Sequence, residues 1–329
     1  MKYSHYKDEN SITCLLCKHY CTLNKDKHGI CGINYNKDGK LFNKTYSHPS
    51  AMHIDPIEKK PLYHFLPSSS SFSIGTVGCN FRCPFCQNYS ISQTSSVDES
   101  VIYMPEDIVN IALEHKTESI SYTYNEPTIW YPYAKDIGVL AKERGIRNVF
   151  VSSGFESHEV LQDMHSWLDA ANIDLKSFSH DYYKKVLKTN LDGVLESLIE
   201  FANSNIWLEI TTLLIPDIND SDAEIHKMAE FISTKLGKDI PWHFSAFHPT
   251  YKMLDTPTTP LKTLMRAKEI AKSYGIKYIY LGNIQNDSST YCYECGAKLI
   301  DRDGFSSGML NIEDSKCKAC GNIIKGVWK

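Results

Sequence analysis

Ser71-Phe72-Ser73-Ile74-Gly75-Thr76-Val77-Gly78-Cys79-Asn80-Phe81-Arg82-Cys83-Pro84-Phe85-Cys86-Gln87-Asn88 joins a short β-rich run, Ser71–Val77, to a loop that carries three cysteines. Loops at the C-terminal ends of strands are where α/β barrels place their chemistry. The spacing C-x3-C-x2-C lets one loop wrap three corners of a cubane cluster, and the fourth iron then lacks a protein thiolate and stays open to another ligand. Soft thiolates select iron–sulfur clusters or zinc. Two plainer readings stand beside the cluster: a zinc knuckle completed by a distant His, and buried free cysteines.

Outward from that loop the chain keeps one rhythm. Further β-like runs at Ser119–Tyr124, Arg147–Ser152, Ala170–Leu175, Ile206–Leu213, Trp242–Phe247 and Lys277–Leu281 alternate with helical patterns. The first helix starts at Pro105-Glu106-Asp107-Ile108, with Pro and acids in its first turn, and others cover roughly 133–144, 157–167, 192–204, 221–236 and 260–274. Such alternation predicts an α/β fold with a parallel sheet and crossover helices. Six units plus one further strand predict a partial (β/α)6 TIM-like barrel over residues 71–284. Residues 1–70 read as a cysteine-rich N-terminal segment and connector, and 285–329 as a small cysteine-rich tail.

With 42% hydrophobic and 22% charged residues, a chain of 329 residues builds a sizeable core. A formal net charge of -4 argues against nonspecific phosphate-backbone binding as the main role. The N-terminus has no apolar run of the signal type, and no stretch has the uncharged apolar length to cross a bilayer. A cytoplasmic protein that does not meet membranes is therefore expected. Thiols stay reduced there, so the 11 cysteines point to metal rather than disulfides. They fall into three groups: Cys14, Cys17, Cys21 and Cys31; Cys79, Cys83 and Cys86; Cys292, Cys295, Cys317 and Cys320. Four thiolates close a site, whereas three leave it open. In the tail, two Cys-x2-Cys-Gly turns read as a zinc ribbon. The N-terminal four, with His19 and His28 among them as alternative ligands, suit zinc or an auxiliary cluster.

The C-x3-C-x-aromatic-C pattern, with Phe85 before Cys86, resembles the signature of the radical S-adenosylmethionine (SAM) superfamily. The resemblance implies a 4Fe-4S cluster on Cys79, Cys83 and Cys86, whose open iron chelates the amino and carboxylate groups of SAM. An electron from the cluster then cleaves the C5′–S bond, and a 5′-deoxyadenosyl radical abstracts hydrogen from a substrate. Tyr124-Asn125-Glu126-Pro127 stands where members carry a Gly-Gly-Glu-Pro-like motif that receives the SAM amino group, which implies Asn125 and Glu126 as ligands. Val151-Ser152-Ser153-Gly154 and Asp174-Leu175-Lys176 resemble runs of the pyruvate formate-lyase activating enzyme branch that surround the SAM carboxylate, with a monovalent cation beside it. Ser152, Ser153, Asp174 and Lys176 are the matching residues, and Val151 replaces the branch's first Asp. Glu209 lies in the segment that the family places beside the adenine ring, and His243 matches a position near the ribose.

Asp55–Phe65, Ser121–Thr128, Phe247–Lys252 and both terminal cysteine groups narrow the match. Together they resemble the radical enzyme of the AmmeMemoRadiSam system, named for its association with Memo-domain and AMMECR-domain proteins. That implies a functional link to such proteins and an electron donor such as ferredoxin or flavodoxin. By analogy with the activating-enzyme branch, it also makes a partner protein a candidate substrate. The rival reading is a non-catalytic metal-binding or RNA-binding protein that uses the ribbon for interaction. The acidic balance and the clustered strand-end residues count against it.

Overall fold

Each of the seven expected strands forms in the computed structural model, its ends within two residues of expectation. The structure describes residues 3–8, 10–309 and 311–329, so Met1, Lys2, Glu9 and Leu310 lie outside it. The N-terminal segment folds into a small antiparallel sheet, β1 (Ser4–Asp8), β2 (Ser11–Cys14) and β3 (Thr22–Asn24), and a hairpin, β4 (Asn34–Lys37) and β5 (Lys40–Asn43). The main sheet follows as β6 (Ala51–Pro56), β7 (Ser70–Gly75), β8 (Ser119–Tyr122), β9 (Arg147–Ser152), β10 (Ala170–Asp174), β11 (Trp207–Leu214), β12 (Trp242–Ala246) and β13 (Ile279–Gly282).

These eight strands lie side by side in chain order. From β7 to β13 every pairing is parallel, so all C-terminal ends face one way. β6 and β13 are the two edges and do not pair with each other, so the sheet is open and no barrel closes. The buried faces explain the continuous apolar runs, as parallel strands covered on both sides require. The crossovers are α2 (Pro105–Glu114), α3 (Tyr131–Glu143), α4 (His158–Met164), α6 (Leu191–Ala202), α7 (Asp222–Phe231) and α8 (Leu261–Ser273), with short α1 (Tyr89–Ser92) and α5 (His180–Tyr182) in the loops. Ser157, Asn190 and Ser221 cap α4, α6 and α7 through their side-chain oxygens, each satisfying an otherwise orphaned N–H. Trp130, Trp167 and Trp242 are buried in the core. Gly138 of α3 lies so close to the Trp167 ring that a Cβ there would stand 2.1 Å from it.

The connector holds one surprise. Ala51–Pro56 is a strand of the main sheet, antiparallel to β7, so the sheet begins before residue 71. As an edge strand it tolerates Pro56 and leaves His53 and Ile54 exposed.

The tail forms β14 (Thr290–Tyr291), β15 (Lys298–Asp303) and β16 (Ser306–Met309), then β17 (Ile312–Glu313) and β18 (Lys316–Cys317). It builds its own apolar core from Leu299, Ile300, Ile312 and Ile324 against Tyr63, Tyr278 and Tyr280. Cys292 and Cys320 sulfurs are 3.7 Å apart, those of Cys295 and Cys317 3.8 Å, and all four lie within 4.8 Å of one another. A tetrahedral metal with metal–sulfur bonds of about 2.3 Å sets neighbouring sulfurs about 3.8 Å apart, so the tail presents a metal site of that size. Gly296 and Gly321, with φ of 73° and 76°, supply the left-handed turn after each cysteine pair.

Candidate functional site

A cavity of about 450 Å³ opens at the C-terminal ends of the parallel strands. Cys79, Cys83 and Cys86 line it together with Phe85 of the same loop, Asn125, Ser152, Ser153, Asp174 and Lys176 from the ends of β8, β9 and β10, and His243 within β12. The cysteine loop is held from several sides. Arg82 Nη1 donates to the carbonyls of Cys79 (2.7 Å) and Phe81 (3.0 Å), and Nη2 donates to that of Ile30 (2.5 Å). Asn125 Nδ2 donates to Gly78 O at 2.9 Å and Thr76 Oγ1 at 3.2 Å, while its Oδ1 accepts from Trp130 Nε1 at 3.1 Å. Asn125 thus braces the cysteine loop against the end of β8. Burial pushes the Cys83 thiol up to about 12, with Lys176 pulling the other way, so a bound cation is what would make this a thiolate at neutral pH.

Tyr124 adopts φ 70°, the left-handed region in which a glycine is at ease. Holding a tyrosine there costs about 1–3 kcal/mol, which its contacts offset. Its hydroxyl donates to Asp55 Oδ2 at 2.8 Å, its carbonyl accepts from Asn88 Nδ2 at 2.7 Å, and Lys60 Nζ sits 4.8 Å from its ring. Asp55 and Lys60 form a buried ion pair at 2.6 Å. The Asp55–Lys60 run before the cysteine loop is therefore built into the site wall.

Two carboxylates lie side by side beneath the strand ends. Glu126 is buried, and its oxygens accept from Thr128 N, Thr128 Oγ1, Ser152 Oγ and Ser153 N at 2.6–3.1 Å. Glu156 Oε1 meets the same two hydroxyls, Thr128 Oγ1 at 3.2 Å and Ser152 Oγ in a very short contact, and its Oε2 has no partner among the described residues. Each hydroxyl has one proton, yet each stands between two carboxyl groups. One carboxyl must supply a proton, and Glu156 is that group: burial, then the Glu126 charge, pushes it up to about 7. A carboxyl with a raised folded-state pKa contributes stability below its unfolded value, near 4.3, and that contribution is lost as pH rises through about 7. Glu156→Gln keeps the neutral shape. The variant is expected to melt a few degrees above the wild type at pH 8 and at about the same temperature at pH 5. Thermal unfolding of both proteins across that range is the measurement, and parallel curves would place the proton elsewhere.

A protein of Methanocaldococcus jannaschii described as uncharacterized is 40% identical over 322 residues, covering 96% of both chains. Residues 73–231 match the model of the radical SAM superfamily. The chain belongs to the radical SAM superfamily. A second M. jannaschii protein, provisionally named a glycyl-radical enzyme activating enzyme, is 26% identical over 211 residues, 63% of this chain and 78% of its own. The solved structure of Streptococcus suis SuiB bound to S-adenosylmethionine superposes with a TM-score of 0.53 at 12% identity over 70% of this chain and 53% of that one, a likeness of fold.

In this radical SAM protein the strand-end residues divide into two sets. Asp174 and Lys176 meet at 2.6 Å, and both face the cavity beside the cysteines. Burial works against the Lys176 charge, but Asp174 and the neighbouring Cys83 outweigh it and hold the ammonium above its usual pKa. Ser152, Ser153, Phe85, Asn125 and His243 also reach the cavity wall. Glu126 and Glu209, expected as cofactor ligands, do not line it. Glu126 spends its oxygens on the donors named above. Glu209 is buried and accepts from Tyr63 N, His64 N, Trp207 Nε1 and His243 Nε2, the last at 2.6 Å. It therefore holds His243 and the Tyr63–His64 backbone from behind. His19 spends Nε2 on the Asn80 carbonyl at 3.1 Å. Sequence reasoning passed over two parts of the wall: Tyr63, whose ring packs edge-on to His243 at 4.7 Å, and Phe305, which the β15–β16 hairpin of the tail carries to the cavity edge.

Proposed function

We propose that Cys79, Cys83 and Cys86 hold a 4Fe-4S cluster, that SAM binds in the adjoining cavity, and that the pair starts radical chemistry on a partner protein. The observation that carries this reading is the meeting of three thiols, and no fourth, with the Asp174–Lys176 pair in one cavity. When bound, the two groups supply one-electron cleavage of the C5′–S bond and hydrogen abstraction from a substrate. Lys176 offers its ammonium to a carboxylate, and Asp174 orients it. Ser152 and Ser153 shape the rim of the same pocket, and His243, fixed by Glu209, suits the ribose. Glu126 acts by positioning: it ties the 152–153 turn to the start of the 127–130 turn. Val151 offers no side-chain oxygen where the activating enzymes have an Asp, and Asp174 is already paired with Lys176, so the side chains present argue against a monovalent cation here.

The relative named as a glycyl-radical enzyme activating enzyme supports a protein substrate. Memo-domain and AMMECR-domain proteins are the partners to test first, with ferredoxin or flavodoxin as electron donor. The anaerobically reconstituted and reduced protein should release 5′-deoxyadenosine and methionine in equal amounts, measured by chromatography. No product under reduction would sink the reading. Among the described residues, no helix is long and apolar enough to cross a membrane.

For the tail, zinc is the proposed ion. Removing one thiolate by Cys317→Ala is expected to release about one zinc per chain and to speed amide exchange over residues 290–329, because a structural zinc contributes its binding energy to folding. SAM affinity should change less than the tail's protection does. A metal-free, reduced tail with full protection would count against a structural ion.

A further inference from the structure

We propose that Cys14, Cys17, Cys21 and Cys31 hold a second 4Fe-4S cluster, packed against the loop of the first.

The four residues are brought together by the fold of the N-terminal segment. Cys14 N donates to Cys21 O at 2.9 Å, Asn34 Nδ2 donates to Cys31 Sγ at 3.4 Å, and a Cβ on Gly29 would stand 3.5 Å from Cys21 Sγ. Cys14, Cys17 and Cys31 are buried and Cys21 is partly so. The four sulfurs of the tail lie within 4.8 Å of one another, whereas among the described residues the N-terminal four form no such tight group. One tetrahedral zinc draws its thiolates to about 3.8 Å. A cubane sets them wider, because each caps a different iron. Cys79, Cys83 and Cys86 likewise form no such tight group among the described residues. Among the described residues the tail thus holds the one tight tetrad of single-ion size, and the N-terminal four group with the central trio. Four cysteines close all corners of a cubane, so this site is saturated and the central one is not.

The surroundings agree. Cys14, Cys17 and Cys31 share one apolar core with Cys79 and Cys83, while Cys292 and Cys317 sit in the tail's separate core. Gly78, φ 89°, presses on the N-terminal site: a Cβ there would stand 2.9 Å from both the Cys31 carbonyl and Ile33. Asn80 is fully buried between the two groups. Its Oδ1 is 4.0 Å from Cys79 Sγ. Its Nδ2 has no hydrogen-bond partner among the described residues. A buried amide donor without an acceptor is costly. Sulfur of a cluster is the acceptor that would satisfy it, and such N–H···S contacts are among the levers that set cluster potentials.

The test uses the full chain with Cys79, Cys83 and Cys86 all replaced by Ala, reconstituted anaerobically with iron and sulfide. It leaves the N-terminal site untouched and does not depend on the central reading. About four irons and four sulfides per chain should remain, with the Mössbauer signature of a 4Fe-4S centre, and the wild type should hold about eight irons. Zinc content of about one per chain and an unchanged circular dichroism spectrum show that the variant is folded. Iron near zero in the folded variant, or a second zinc in its place, overturns the proposal. A wild type that holds about four irons, all of them lost in the folded variant, overturns it as well.

Discussion

The Cys79/Cys83/Cys86→Ala protein is expected to lose about four irons relative to the wild type and all reductive cleavage of SAM. The size of the effect follows from the donor set. Three thiols face the cavity, and two charged groups on the same wall, Asp174 and Lys176, are spent on each other at 2.6 Å. Among the described residues no further cysteine lines the cavity to take a lost thiolate's place. The fold should tolerate the change: a buried Cys→Ala removes one atom, and the loop keeps its Arg82 and Asn125 braces. The loss should therefore appear as missing iron and absent 5′-deoxyadenosine in a protein that still melts cooperatively. Single substitutions sharpen the test. Cys86 is the least buried of the three, with its sulfur 3.1 Å from Ser92 Oγ, and Cys86→Ser offers an oxygen in nearly the same place. It should retain part of the iron in an unstable form. Full iron and sulfide in the triple variant would mean that the central loop is not the cluster site.

Much of this was legible in the sequence, for reasons that differ by element. The parallel strands announce themselves because strands buried on both faces need continuous apolar runs, and the helices between them carry Pro105, Ser157, Asn190 and Ser221 at their starts. β6 was missed because an edge strand needs neither. Its His53, Ile54 and Pro56 are exposed, and its one buried charge, Asp55, is explained only by Lys60 and by Tyr124, 69 positions away. The site divides in the same way. Residue type and strand-end position brought Asp174, Lys176, Ser152 and His243 to the cavity wall. Glu209 shares the face of Thr211 and Leu213, which line the cavity, but it lies one pleat deeper and ends in the floor. Glu126 begins a tight turn, and its side chain folds back onto that turn's own N–H groups. Depth along a strand and the direction of a turn depend on neighbours that spacing does not reveal. Tyr124 and Asn125 show the converse. The resemblance called for glycines there, and the structure keeps a glycine-like backbone at Tyr124 while using the two side chains as anchors.

Lys176→Ala is expected to weaken SAM binding by roughly ten- to a hundredfold while leaving the central iron in place. Lys176 is mostly buried, and its ammonium meets Asp174 at 2.6 Å while its backbone N–H donates to Tyr183 Oη at 3.1 Å. The main chain is thus held independently of the charge, and truncation should not move the strand end. Removing a charge-assisted hydrogen bond costs about 1.5–3 kcal/mol, which is the stated range of affinity. Asp174 separates a positioning role from a direct one. If it acts only by orienting Lys176, Asp174→Asn should weaken binding less than Lys176→Ala, and the double variant should bind no worse than Lys176→Ala alone. Additive losses would mean that each residue meets the cofactor separately. Glu126→Ala makes the contrast. It strips four protein donors of their acceptor in a buried place, so it should lower the melting temperature as well as the affinity, whereas Lys176→Ala should change affinity almost alone. Anaerobic titrations and melting curves on the reconstituted variants give both quantities. Unchanged affinity in Lys176→Ala with full iron would remove this pair from the cofactor site and leave it as a strand-end ion pair.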